Sequence, residues 1–170
     1  NPDGTQNYIW YCSGPYSGIS IDSTGNILIA GQSYSHIQRF TNTGIQNGQW
    51  GSYGSTPGYF IYPCGIDCDS FGNFYVADTR NSRIQKFSST GTYMGQWSVS
   101  GCPFDISIDD SSGNVYVLCS EQNWVLKYNS LGQIIRQIGS TGSADGQFQS
   151  PQGITTDSEG YLYVDRMEIM

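Results

Sequence analysis

The chain has 170 residues, 22 of them glycine and 13 tyrosine, with only 12% charged side chains and a formal net charge of -7. That length suits a single domain, and the 37% hydrophobic fraction supplies a core that a charged, disordered tail lacks. The acidic balance and the scattering of Arg39, Lys86 and Lys127 argue against nucleic-acid binding, and no run reaches the roughly 18 apolar residues of a direct membrane insertion.

Taken in chain order, residues 1–14 read as an outer strand of a preceding unit, because Asp3-Gly4-Thr5 followed by Tyr8-Ile9-Trp10 parallels Thr90-Gly91-Thr92 followed by Gly95-Gln96-Trp97. The next unit, 15–62, opens on Gly18-Ile19-Ser20-Ile21-Asp22-Ser23-Thr24-Gly25-Asn26. The same pattern returns 47 residues later as Gly65-Ile66-Asp67-Cys68-Asp69-Ser70-Phe71-Gly72-Asn73 in the unit 63–102. A third copy, Asp105 to Asn114, opens the unit 103–150, and a fourth, Gly153 to Tyr161, opens the partial unit 151–170.

Each opening leads into an apolar run: Ile27-Leu28-Ile29-Ala30, Phe74-Tyr75-Val76-Ala77, Val115-Tyr116-Val117-Leu118 and Leu162-Tyr163-Val164. Such β-branched and aromatic runs between turn residues predict strands. A third strand follows at His36 to Phe40, Arg83 to Phe87 and Trp124 to Tyr128, keeping a basic residue directly before an aromatic. A fourth ends in Gln49-Trp50, Gln96-Trp97 or Gln137-Ile138. Four short antiparallel strands repeating at about 40 to 45 residues match propeller blades, whose edges are protected by radial packing. The expected fold class is therefore all-β: a propeller arc of three full four-stranded blades with partial terminal blades.

Connections between units differ. Gly51 to Phe60 and Gly139 to Phe148 are long and end in an aromatic three residues before Pro63 or Pro151, whereas Ser98 to Cys102 is short. The long connections read first as linkers whose Phe60 and Phe148 plug the gap between sheets, and second as binding loops on a fixed scaffold.

Asp78-Thr79-Arg80-Asn81-Ser82-Arg83-Ile84-Gln85-Lys86-Phe87, with Tyr75-Val76-Ala77 before it and the spacing Pro63, Gly65-Ile66, Asp69, Gly72-Asn73, resembles the NHL repeat family. The pattern is strong there and partial elsewhere: Gly31 and His36 replace the aspartate and arginine in the first unit, and Cys119 and Trp124 in the third. The resemblance implies a closed, commonly six-bladed propeller on the order of 250 residues, which is longer than this chain. The missing blades are expected from residues absent here, from another chain, or from a homomeric partner.

Some propellers of this kind are metal-dependent lyases or hydrolases with clustered histidines and carboxylates. His36 is the single histidine and cannot by itself build a multi-histidine zinc site. The recurring Asp22, Asp69, Asp109 and Asp157 sit before hairpin glycines in separate units, a pattern suited to turn hydrogen bonds rather than to a calcium cage. Asp78, Asn81 and Arg83 read as a local polar network. No catalytic residue, metal site or cofactor is assigned.

Of the five cysteines, Cys68 occupies a core strand slot, whereas Cys12, Cys64 and Cys102 lie beside the prolines that open units and are candidates for an inter-blade disulfide. Their number and the low charge favour an extracellular or cell-surface setting. The leading functional expectation is a noncatalytic scaffold or binding module that presents loops to a protein or glycan partner. Tyr34, Trp50, Tyr53, Tyr59 and Arg80 are its contact candidates, since aromatics and arginine anchor interfaces. The alternative is a portion of a metal-dependent lyase or hydrolase whose remaining active-site residues lie outside this chain.

Overall fold

The structure is a computed structural model that describes residues 17–165. The expected opening strand in residues 1–14 lies outside the described residues. The first sheet runs β1 (Gly18–Ile21), β2 (Ile27–Gly31), β3 (His36–Phe40) and β4 (Gln46–Trp50), in that order. The second repeats it with β5 (Pro63–Cys68), β6 (Phe74–Asp78), β7 (Arg83–Phe87) and β8 (Tyr93–Ser98). The third holds β9 (Asp105–Asp109), β10 (Asn114–Cys119), β11 (Trp124–Tyr128) and β12 (Ile134–Ile138), and a two-stranded sheet of β13 (Ile154–Thr156) and β14 (Leu162–Val164) follows. All these pairings are antiparallel, giving an all-β arc of partial propeller form.

The first hairpin of every blade is built by its aspartate. Asp22 Oδ1 accepts the backbone N–H groups of Thr24 and Asn26, both at 2.9 Å. Asp69 Oδ1 does the same for Phe71 at 3.1 Å and Asn73 at 2.9 Å, and Asp157 Oδ1 for Glu159 at 3.0 Å and Tyr161 at 2.9 Å. Asp109 takes the amides of Ser111 and Ser112. The turn glycine completes the motif with a left-handed φ of 84° at Gly25 and 78° at Gly72, which a side chain disfavours.

Strand alternation explains how one blade serves two neighbours, since successive side chains leave opposite faces of the sheet. From β6, Phe74 and Val76 join Leu28, Ala30 and Ile37 of the first blade, while Tyr75 and Ala77 join Val115, Val117 and Leu126 of the third. Phe74 stacks on Phe87 with centroids 5.0 Å apart. Phe60, fully buried, sits in the first of these interfaces, and Phe148 packs beside Tyr116, Leu118 and Ile154 in the last. Both phenylalanines thus fill the gaps between sheets.

The basic residue before each aromatic also has a packing role. Lys86 lies 4.6 Å from the Tyr75 ring centroid and Lys127 4.9 Å from that of Tyr116, its cross-strand partner. In the first blade Leu28 occupies the tyrosine slot, and Arg39 turns to Trp50 at 5.2 Å.

At the outer edge, Trp50 reaches across to Gly91 in the β7–β8 hairpin, and Trp97 to Gly132 in the β11–β12 hairpin, so closely that a Cβ on either glycine would collide with the indole. At the inner edge, carboxylates cross the blade boundary. Asp67 Oδ1 accepts the Ser20 hydroxyl at 2.8 Å, its Oδ2 accepts the Ile108 N–H at 2.9 Å, and Asp105 Oδ2 accepts the Ile154 N–H at 3.1 Å. They satisfy strand-edge amides that would otherwise stay unpaired.

Candidate functional site

The connection 51–62 is the most tightly specified loop of the arc, and Asp78 and Arg83 hold it. They are cross-strand partners in the β6–β7 register and both are buried. Arg83 Nε donates to Asp78 Oδ2 at 2.7 Å, joined there by Asn81 Nδ2 at 2.9 Å and Gln85 Nε2 at 3.0 Å. Asp78 Oδ1 accepts the Ile61 N–H at 2.8 Å. The rest of the guanidinium donates to the loop carbonyls of Ser55 at 2.7 Å, Thr56 at 3.1 Å and Tyr59 at 2.8 Å, and to Gln96 Oε1 on β8 at 2.9 Å. Gln85 closes the set by accepting the Gly58 N–H at 2.8 Å. The local polar network read from the sequence is present, and it reaches further than expected, tying the loop before the second blade to that blade.

The same register pairs Gly31 with His36 and Cys119 with Trp124, neither of which supplies a fork of donors. The third blade, lacking the fork, is entered by the short connection.

With its backbone fixed, the loop leaves Tyr53 73% and Tyr59 46% exposed. It ends at Tyr62, whose φ of 54° lies in the left-handed region, as does Ser150 at the matching position of the connection 139–150. This turn aims the Tyr62 ring under Arg80, whose guanidinium carbon is 4.2 Å from the ring centroid.

Arg80 and Tyr62 border a pocket of about 230 Å³ together with Gln32, Cys64, Cys102 and Glu121, so three blades contribute to its wall. A cation, a carboxylate, a ring and two thiols converge there. Burial pushes the Cys102 thiol above its ordinary pKa, Glu121 and Cys64 add to the shift, and Arg80 opposes it. Cys64 and Cys102 are both free thiols, and Cys12 lies outside the described residues.

Of the five contact candidates, the structure brings only Arg80 to this pocket. Tyr53 and Tyr59 stand on the adjoining loop. Tyr34 is 51% exposed in the β2–β3 turn and stacks on His36 at 5.6 Å. Trp50 is half-buried in β4, 5.1 Å from Phe74, and takes part in the blade interface. Gln32, Tyr62 and Glu121 were not singled out by sequence reasoning. The one available signal was that Tyr62 and Cys102 each stand directly before the proline that opens a blade.

A second cavity, about 430 Å³, is lined by Asp105, Ile154, Thr155, Tyr163 and Asp165 at the last described blade. Burial raises the Asp105 pKa to about 6, against the amides of Ile106 and Ile154, which lower it; Asp67 and Asp165 push the same way as burial. His36 is held below its ordinary pKa, chiefly by burial, which favours a neutral imidazole at pH 7. Among the described residues no three His, Cys, Asp or Glu side chains are grouped to hold a metal ion. Nor is any helix among them long and apolar enough to cross a membrane.

The buried Asp78–Arg83 pair and the last residues of the loop it holds fall within residues 60–87, which match the family model described as NHL repeat. The chain carries an NHL repeat. No curated protein matches the chain. Solved structures share the arc around this NHL repeat. Kuenenia stuttgartiensis hydrazine synthase is 15% identical with a TM-score of 0.68, covering 91% of this chain and 44% of that one. An inactive virginiamycin B lyase from Staphylococcus aureus with quinupristin is 15% identical with a TM-score of 0.67, covering 98% and 60%. A nidogen/laminin complex is 20% identical with a TM-score of 0.65, covering 85% and 53%. The arc thus spans about half the length of these structures, and the likeness concerns the fold.

Proposed function

We propose that the chain forms one wall of a propeller enzyme of the lyase or hydrolase class. In this reading the three-blade pocket is part of the substrate-binding face, and the catalytic groups stand on blades beyond residues 17–165. The pocket carries the proposal: Arg80, Glu121 and the Tyr62 ring converge on one concavity beside a loop whose backbone is fixed by buried hydrogen bonds. The likeness in fold to a lyase crystallised with quinupristin supports the reading. The described residues do not by themselves hold a metal ion.

The test uses the full-length protein. Turnover in a panel of lyase and hydrolase substrates is expected, with Arg80→Ala raising KM about tenfold or more, as loss of a charge-assisted contact does. A folded full-length protein that turns over none of them overturns the enzyme reading.

A second reading, a noncatalytic scaffold for a protein or glycan partner, draws on Tyr34, Tyr53 and Tyr59, exposed by 51%, 73% and 46% on firmly built turns. The fold also occurs in a nidogen/laminin complex. Replacing the three tyrosines with serine is expected to abolish partner binding while leaving the far-ultraviolet spectrum unchanged. Undiminished binding by that folded variant removes the assigned surface.

A further inference from the structure

The two thiols of the three-blade pocket remain unexplained by either functional reading. Cys64 is the second residue of β5, and Cys102 lies three residues before β9, on the next blade. The two inner strands approach closely there, since a Cβ on Gly65 would lie 2.6 Å from the Asp105 Cα.

Both sulfurs are held at the same corner of the second blade. Cys64 Sγ donates to the Tyr62 carbonyl at 3.6 Å. Cys102 Sγ donates to the Thr79 carbonyl at 3.8 Å. Tyr62 and Thr79 flank the register pair Pro63 and Asp78, so the two carbonyls belong to adjoining ends of β5 and β6. From the first blade, Gln32 Nε2 donates to Cys64 Sγ at 3.3 Å and keeps that thiol on the pocket side. Both thiols line the cavity of about 230 Å³, which gives a small reagent access to them.

We propose that Cys64 and Cys102 are a redox pair that closes a disulfide between the second and third blades when the S–S bond of a disulfide such as glutathione disulfide reaches Cys102 at the mouth of this pocket. The order of events follows from exposure. Cys102, only partly buried, attacks first as a thiolate, forms a mixed disulfide with one half of the oxidant and releases the other half as a thiol. Cys64, which is 3% exposed, then loses its proton, attacks the Cys102 sulfur and expels the second half. Two protein S–H bonds are lost and one S–S bond forms. The oxidant's S–S bond breaks and carries away two electrons and two protons as two thiols. Arg80 favours the Cys102 thiolate, while burial and Glu121 oppose it, so the first attack quickens as pH rises.

Cys119 is the nearest rival, since a Cβ on Gly101 would lie 3.2 Å from its sulfur. It is fully buried in the hydrophobic cluster between the second and third blades and does not line the pocket, and burial pushes its thiol up to about 12, which keeps it protonated and slow to attack a mixed disulfide on Cys102. Cys68 sits at the opposite end of β5 from Cys64. The staple is independent of whether the propeller is an enzyme or a scaffold.

Peptide mapping without reduction, after equilibrating the full chain in graded glutathione buffers and alkylating it, tests the proposal. The expected result is a loss of free thiols from five to three and a linked peptide pair containing Cys64 and Cys102. Cys64→Ser is expected to trap a glutathione adduct on Cys102, and Cys119→Ala to leave the link intact. A Cys102–Cys119 link, a link to Cys12, or five thiols retained under the most oxidising buffer would each overturn it.

Discussion

Asp78 and Arg83 meet across the β6–β7 register with 2.7 Å between Oδ2 and Nε, both withdrawn from water and both turned toward a loop that precedes their strand. The pair satisfies carbonyls and an amide of that loop while neutralising each other. Removing one member leaves the other charged and buried, which typically costs about 3–5 kcal/mol. Asp78→Ala is therefore expected to lower the unfolding free energy by about that much, and to strip hydrogen-exchange protection from the Ile61 amide. Denaturant unfolding and exchange mass spectrometry on the same variant check both statements.

Phe60 and Phe148 occupy matching positions but are buried to different extents: Phe60 is wholly enclosed and Phe148 only partly. Truncating a large aromatic in a closed interface costs about 3–5 kcal/mol. Phe60→Ala is expected to fall in that range and Phe148→Ala clearly below it, as read from unfolding midpoints at constant m-value.

Gly91 has a φ of 84° and lies against the Trp50 indole, whereas Gly25, also at 84°, has open space where a Cβ would go. Alanine at Gly25 meets only the backbone penalty of about 1–2 kcal/mol. Alanine at Gly91 adds displacement of the indole and is expected to be the more damaging of the two, with a change in Trp50 fluorescence that Gly25→Ala lacks.

Asp105 titrates at about 6 when folded and near the ordinary carboxylate value of about 4 when unfolded, because burial penalises its charge. Between those values the native state binds more protons than the unfolded state, so this group makes stability fall as pH rises from about 4 to about 6. Asp22, lowered by its turn hydrogen bonds, works in the opposite direction at lower pH. Subtracting the stability–pH curve of Asp105→Asn from that of the wild type is expected to isolate the fall between pH 4 and 6. A flat difference curve would contradict it.

The repeat made the blades legible, because Asp22, Asp69, Asp109 and Asp157 each build the same turn and each turn fixes a strand pair. The phenylalanine plugs were legible for a related reason: the same aromatic recurs at the same distance from Pro63 and Pro151. The pocket was not legible. Gln32 and Glu121 come from the first and third blades and Tyr62 from the connection before the second, and only the curvature of the arc gathers them. Trp50 was legible as the end of a fourth strand, but its place against Gly91 depends on the next blade's hairpin, which no local pattern records. The reach of Gln85 was hidden too, since a glutamine in a strand gives no sign that it pairs with a loop amide 27 residues earlier.

Asp67 takes one hydrogen bond from Ser20 in the blade before it and another from Ile108 in the blade after it. Its counterparts in the repeat are Ser20, Ser107 and Thr155, none of which carries an acceptor with two such oxygens. The blades look alike in backbone, yet they are not interchangeable parts: moving the second to another position would break both bonds and strand a carboxylate on the inner edge. The repeat sets the shape of the arc, and contacts such as these two set the order in which its units stand.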